Sequence, residues 1–266
     1  MTLITSRSNS KIKFLRSLRQ RKGREAAGSF LVEGIRHVGE AVEAGAPLEA
    51  IYYAPDLLTS EFARQLIETQ EQAGLPCYPL SADVFESVAG RENPQGILAV
   101  AHFPQVSLAD LNPGNFSWGV AAVSPQDPGN VGTILRTLDA VGASGLLLLD
   151  SGVDLAHPTL IRASMGTVFW HPVLRASFTE FQQWAEGHAY TILGTSAHAP
   201  LDYREVPAYH RPLVLLLGSE REGLTSAQAQ ACTRLVGLPM LGRTTSLNLA
   251  IAAGVLLYDI LERLGE

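Results

Sequence analysis

The chain, 266 residues long, predicts an α/β protein of two domains, and three observations carry that expectation. Short apolar runs alternate with stretches of helical periodicity along the whole length, the pattern of strands covered by helices. In the second half the near-continuous apolar runs Gly119 to Val123, Leu146 to Leu149 and Leu213 to Leu217 read as strands buried on both faces. Between the halves, Pro104, Asp110, Asn112, Pro113, Gly114 and Asn115 cluster as turn formers. This divides the chain into a small N-terminal α/β domain at 1–103, a linker at 104–117 and a larger α/β domain at 118–266.

Taken in order, Ser8 or Asn9 can cap a first helix in which Ile12, Leu15 and Leu18 recur at three-residue spacing. Phe30-Leu31-Val32 reads as a strand, and residues 34–44 as a helix that Gly45-Ala46-Pro47 stops. Residues 50–53 form the next strand, 61–73 a helix closed by Gly74, Cys77-Tyr78 a short strand, 82–88 a helix and 96–101 a strand. The alternation implies a mainly parallel sheet. In the second half Tyr190 to Leu193 and Leu235 to Leu238 add shorter strands. A long helix from about Ser246 to Leu264 closes the chain and puts Asn248 inside its first turn.

Composition narrows the class. The longest apolar stretch, Leu249 to Tyr258, is too short to span a bilayer, so no membrane partner is expected. The N-terminus has no apolar core and predicts no secretory signal. Cys77 and Cys232, the two cysteines, fit a reducing cytoplasm. Net charge is -6, yet eight of the 20 basic residues lie in residues 1–24, which hold no carboxylate. The rest carries twelve basic against 26 acidic residues. One basic arm on an acidic protein is either a solvated helix face or a surface for a polyanion. Lys11, Lys13, Arg16 and Arg19 are its candidate phosphate contacts.

Common nucleotide signatures are missing: there is no Gly-x-x-x-x-Gly-Lys-Ser/Thr and no Gly-x-Gly-x-x-Gly behind a strand. No His, Cys and carboxylate cluster has metal-ligand spacing. Three polar clusters remain, each behind a strand: Asp127-Pro128-Gly129-Asn130 running on to Arg136, Gly218-Ser219-Glu220-Arg221-Glu222-Gly223-Leu224, and Leu238-Pro239-Met240-Leu241-Gly242 running on to Ser246-Leu247-Asn248. Each alone could be an ordinary capped turn. In open parallel sheets, however, ligands bind beyond the carboxyl ends of strands.

Together and in this order, Asn130-x-Gly132-x-x-x-Arg136, Gly218-x-Glu220-x-x-Gly223-Leu224 and Pro239-Met240-x-Gly242 with Ser246-Leu247-Asn248 resemble the three motifs of the SpoU/TrmH branch of the SPOUT methyltransferases. Arg162-Ala163-Ser164-Met165-Gly166 resembles the family's segment between motifs. Phe30-Leu31-Val32-Glu33-Gly34 and Glu92-Asn93-Pro94-Gln95-Gly96 are similar to landmarks of its N-terminal RNA-substrate-binding domain. The sequence departs from the pattern at Ser219, Arg221 and Thr245, beside the core positions.

The resemblance implies a trefoil-knotted catalytic domain, a rare exception to unknotted topology, and a homodimer. It implies transfer of a methyl from S-adenosylmethionine (AdoMet) to an RNA ribose 2′-hydroxyl, in ribosomal RNA more than transfer RNA. Thr195, Gly218, Leu238 and Leu247 would contact AdoMet. Arg136 would be the catalytic residue that meets the ribose and its phosphate, with Asn130, Glu220, Ser246 and Asn248 orienting the groups. A guanidinium stays protonated at neutral pH and is a poor base, so the proton acceptor is left open. A base methyltransferase or a non-catalytic RNA-binding protein of the same fold are the rivals.

Overall fold

The computed structural model describes residues 2–104 and 106–265. It forms two compact units, Met1–Gln105 with Ala156–Trp170, and Val106–Leu155 with His171–Glu266.

The first unit opens with α1 (Ser10–Ser17), capped by Asn9, whose side chain accepts the Lys11 N–H at 2.9 Å. Ile12 and Leu15 are fully buried, as their spacing requires. A second short helix, α2 (Arg21–Ala27), was not legible in the sequence; Gly28 ends it at φ 64°. Then follow β1 (Phe30–Glu33), α3 (Ile35–Glu43), β2 (Leu48–Tyr53), α4 (Glu61–Gln72), β3 (Cys77–Pro79), α5 (Ala82–Glu86) and β4 (Ile97–Ala101). The sheet order is β1-β4-β2-β3. Here the expectation of a mainly parallel sheet is corrected. β4 runs antiparallel to both β1 and β2, and only β2 and β3 are parallel. An apolar run such as Ile97 to Ala101 reports burial on both faces but carries no information on direction.

The second unit begins with β5 (Trp118–Val123), α6 (Pro128–Ala140) and β6 (Leu146–Leu149). The next segment, residues 156–170, groups with the first unit and carries α7 (Pro158–Ala163). Within the first unit Phe169 stacks on Phe30, with ring centroids 6.4 Å apart. From His171 the second unit continues with β7 (Val173–Ala176), α8 (Phe178–Gly187), β8 (Thr191–Thr195), β9 (Leu201–Asp202), β10 (Leu213–Leu217), α9 (Ser226–Gln230), β11 (Arg234–Gly237) and α10 (Leu249–Arg263). Its sheet, β7-β6-β5-β10-β8-β11-β9, is parallel at every pairing. Central β5 and β10 are buried at every residue, and α10 packs against α6.

Residues 106–117 are not a linker. Leu111 and Phe116 join the second unit's core beside Trp184 and Tyr190. The Trp184 indole donates to the Leu111 carbonyl at 2.9 Å, and the Tyr190 hydroxyl donates to that of Phe116. Two apolar anchors among turn formers are enough to dock such a segment. No helix among the described residues is long and apolar enough to cross a membrane.

Candidate active site

The three polar clusters emerge from the carboxyl ends of β5, β10 and β11, and Thr195 ends β8. A cavity of about 420 Å³ opens there. Thr195, Gly218, Leu238 and Leu247 all line it, as do Glu220 and Ser246. Leu249 and Leu256 supply an apolar wall; Ser196, His198, Ser219 and Thr245 supply polar groups. Ser196 and His198 were missed in the sequence. Their position directly after a buried strand was the available signal.

The second cluster forms a closed loop. Ser219 and Gly223 exchange N–H to carbonyl hydrogen bonds of 3.1 and 3.0 Å. Gly218 is required by this closure, because a Cβ there would stand 2.4 Å from the Gly223 carbonyl carbon.

Side-chain hydrogen bonds join all three clusters. The Glu220 carboxylate accepts the Gln126 N–H at 3.0 Å, the Asp127 N–H at 3.4 Å and the Asn130 amide at 3.4 Å. Asn130 Oδ1 in turn accepts the Asn248 amide N–H at 2.9 Å. Asn248 Oδ1 accepts the Ala250 and Ile251 N–H groups at 2.9 and 3.3 Å. Asn248 is therefore the N-cap of α10, not a residue of its first turn, and the helix begins at Leu249 rather than Ser246. An Asn side chain that satisfies two orphan N–H groups ends the helix more favourably than Ser246 could from two residues upstream. Likewise Asp127, not Asn130, caps α6, accepting from Gly129 at 2.6 Å and Asn130 at 3.0 Å. That leaves the Asn130 amide to bridge Glu220 and Asn248.

Replacing Asn248 separates these roles. Asn248→Ala should cost about 1 kcal/mol as a lost cap and lower Tm by roughly 2–4 °C. Asn248→Asp should keep the cap and the Tm while removing the donor to Asn130. Thermal unfolding and methyl-transfer rates measured on both variants check the pair; a fully active Asn248→Asp would show that the bridge is dispensable.

Arg136 stands apart. It is exposed on α6, makes no hydrogen bond or ion pair among the described residues, and does not line the cavity. In the first unit the basic arm divides. Lys13 is exposed and unpartnered among the described residues, and Lys11 Nζ lies 4.2 Å from the Tyr78 ring centroid. Arg16 instead donates to the Ser87 hydroxyl at 2.8 Å and the Arg7 carbonyl at 3.2 Å. Arg19 donates to Glu33 and to the Val88 carbonyl, each at 2.8 Å. Those two guanidiniums hold the α5 end against α1 and β1.

An all-parallel sheet whose strand ends carry three bridged loops, two of them lining a small-molecule cavity, defines an α/β enzyme domain of the cofactor-binding class. The model of the SpoU rRNA Methylase family matches residues 118–258, and that of the MRM3-like substrate binding domain matches 9–99. The chain belongs to the SpoU rRNA methylase family. It is 33% identical to a 23S rRNA (uridine(2479)-2'-O)-methyltransferase of Streptomyces viridochromogenes, over 96% of this chain and 90% of that one. It is 31% identical to the 23S rRNA (guanosine(2553)-2'-O)-methyltransferase RlmP of Bacillus subtilis (strain 168), over 98% and 99%. The crystal structure of an AdoMet-bound rRNA methyltransferase from Sinorhizobium meliloti superposes with a TM-score of 0.89 at 32% identity, covering 98% of this chain and 97% of that one.

Proposed function

We propose that the chain is an AdoMet-dependent RNA ribose 2′-O-methyltransferase acting on 23S ribosomal RNA. The observation that carries the reading is the bridge from Glu220 through Asn130 to Asn248 beside the cavity. The Streptomyces and Bacillus relatives are both named for the same reaction on 23S rRNA. The cavity suits AdoMet: its size lies in the small-molecule range, with apolar walls for a purine and hydroxyl and backbone groups for polar edges. Thr195, Gly218, Leu238 and Leu247 would hold it. When bound, AdoMet supplies a methyl group already activated as a sulfonium.

The protein's own work is alignment and proton management. Arg136 binds the phosphate beside the target ribose, and its positive charge lowers the pKa of the 2′-hydroxyl. The guanidinium keeps its own proton, so it stabilises the developing alkoxide rather than acting as the base. Ser246 meets the ribose at the cavity mouth, while Glu220, Asn130 and Asn248 keep the three loops in register. Lys11 and Lys13 add phosphate contacts on the arm.

The chain acts as a homodimer. Ile251, Val255 and Tyr258 recur at helical spacing along α10 and are exposed, with Ile251 56% and Tyr258 55% accessible. An apolar stripe of that kind fits a twofold interface. Arg136, which does not line its own subunit's cavity, then serves the partner's. The free thiols Cys77 and Cys232 fit work in the cytoplasm.

Mapping 2′-O-methyl groups in 23S rRNA from cells with and without the gene tests the reading, because such a group blocks alkaline cleavage at its own linkage. Loss of one protected linkage is the expected result. An unchanged 23S map with a lost tRNA protection would transfer the substrate to tRNA, and a lost base methyl would replace the reaction.

A further inference from the structure

The cavity of the second unit changes character from floor to mouth. Leu217, Val236 and Leu256, which line it from below, are buried and apolar. His198, Glu220, Arg221 and Glu222, which line it too, are exposed and carry its titratable groups. AdoMet is divided in the same way, with a purine at one end and an α-amino acid, bearing a carboxylate and an ammonium, at the other. The purine suits the apolar floor, which leaves the amino acid to the mouth.

The tip of the second cluster sorts its charges. The paired backbone hydrogen bonds between Ser219 and Gly223 close a loop that holds Glu220, Arg221 and Glu222 at its tip. The Ser219 hydroxyl accepts the Glu222 N–H at 3.2 Å and fixes the backbone there. Glu220 is committed to the first cluster, where it accepts the Gln126 N–H at 3.0 Å and the Asn130 amide at 3.4 Å. The side chains of Arg221 and Glu222 have no hydrogen bond or ion pair among the described residues. Arg221 is also the one Lys or Arg among the described residues that line the cavity, and a guanidinium stays charged at neutral pH.

Adjacent residues of opposite charge, both lining one cavity and both unpartnered, complement a zwitterion. The guanidinium fork matches a carboxylate with two parallel N–H groups, and a carboxylate accepts from an ammonium. A phosphate chain is the poorer match, because Glu220 and Glu222 flank Arg221 and repel a polyanion. Arg221 is moreover a position at which the sequence departs from the SpoU/TrmH motifs, so this cation is a feature of the chain rather than of the shared pattern.

We propose that Arg221 holds the α-carboxylate of AdoMet and Glu222 its α-ammonium, so that the tip of the second cluster recognises the amino-acid end of the cofactor. The inference rests on AdoMet being the cofactor and adds two side chains to its contacts at Thr195, Gly218, Leu238 and Leu247.

Isothermal titration calorimetry on the full chain tests it with pairs of ligands. Decarboxylated AdoMet lacks only the carboxylate of AdoMet, and 5′-methylthioadenosine lacks the amino acid of S-adenosylhomocysteine. The wild type should prefer AdoMet to its decarboxylated form about fivefold, the upper end for a solvent-accessible ion pair. Arg221→Gln should abolish that preference and bind methylthioadenosine like the wild type. Glu222→Gln should keep it, but lose about fivefold of the preference for S-adenosylhomocysteine over methylthioadenosine. Arg243→Gln removes an exposed cation that does not line the cavity, and should leave both preferences unchanged. A wild-type preference retained in Arg221→Gln, or lost equally in Arg243→Gln or in His198→Gln, would overturn the assignment. So would an Arg221→Gln protein whose ligand preferences are intact while its RNA affinity falls, since the guanidinium would then serve a phosphate. A wild type that binds none of these nucleosides would instead overturn the cofactor reading itself.

Discussion

Arg136→Ala is expected to lose methyl transfer by about 100-fold or more, the scale of removing one preorganised charge from a transition state. AdoMet affinity should stay within about threefold, because a contact made to RNA in the transition state lowers turnover without touching cofactor binding. The structure makes this a clean experiment. Arg136 is exposed, has no partner among the described residues, and does not line the cavity, so its removal leaves no orphaned group behind. Single-turnover methyl transfer to 23S rRNA, with calorimetry for AdoMet, reads the two quantities. Near-normal turnover would take Arg136 out of the mechanism. Mixing Arg136→Ala subunits with subunits carrying a disabled cavity extends the experiment to the proposed dimer. Recovery of part of the activity in mixed dimers is expected if Arg136 serves its partner's cavity, and no recovery if it serves its own.

Gly218→Ala should weaken AdoMet binding roughly ten- to hundredfold, the range that an overpacked site costs. The added methyl would meet the Gly223 carbonyl carbon at 2.4 Å, the Leu224 nitrogen at 2.5 Å and the Gly223 Cα at 2.7 Å. All three are backbone atoms, so relief requires the closed Ser219 to Gly223 loop to shift, and that loop lines the cavity. Gly187→Ala is the control: its added methyl would meet nothing within 4 Å, and the variant should bind AdoMet like the wild type. Calorimetric titration of both variants decides. Unimpaired binding by a folded Gly218→Ala would show that the loop tolerates displacement and that the cofactor contact does not depend on its closure.

The candidate site was legible as three clusters of residue types behind strands, but not as a connected unit. Gly218 and Glu220 were visible because they stand directly beyond the carboxyl end of a buried strand, where open parallel sheets bind ligands. The bridge from Asn130 to Asn248 was not, since its partners lie 118 positions apart. Cap assignment failed in the same region for a related reason. Asp127, Asn130, Ser246 and Asn248 are all good capping residues, and short-range preference does not rank them. Only the three-dimensional geometry shows that Asp127 and Asn248 satisfy the helix ends while Asn130 is left to bridge.

The basic arm shows the same division between composition and placement. Eight basic residues without a carboxylate read as one electrostatic feature. In the fold, Arg16 and Arg19 are hydrogen-bonded to residues around the end of α5, whereas Lys13 remains exposed. Charge alone could not distinguish a cation facing solvent from one that ties two elements together.

What the sequence determined by itself was therefore local. Apolar runs specified the buried strands β5, β6 and β10, the spacing of Ile12, Leu15 and Leu18 specified the buried face of α1, and Ser8 or Asn9 placed the start of that helix to within one residue. Each of these depends on free energies between residues within a few positions of one another. The tertiary structure alone decided the antiparallel setting of β4, the membership of residues 156–170 in the first unit, the docking of Leu111 and Phe116, and the hydrogen-bonded joining of the three clusters beside one cavity. Those outcomes depend on which distant surfaces meet, and burial of apolar area, being non-directional, rewards many pairings that only the whole topology can choose between.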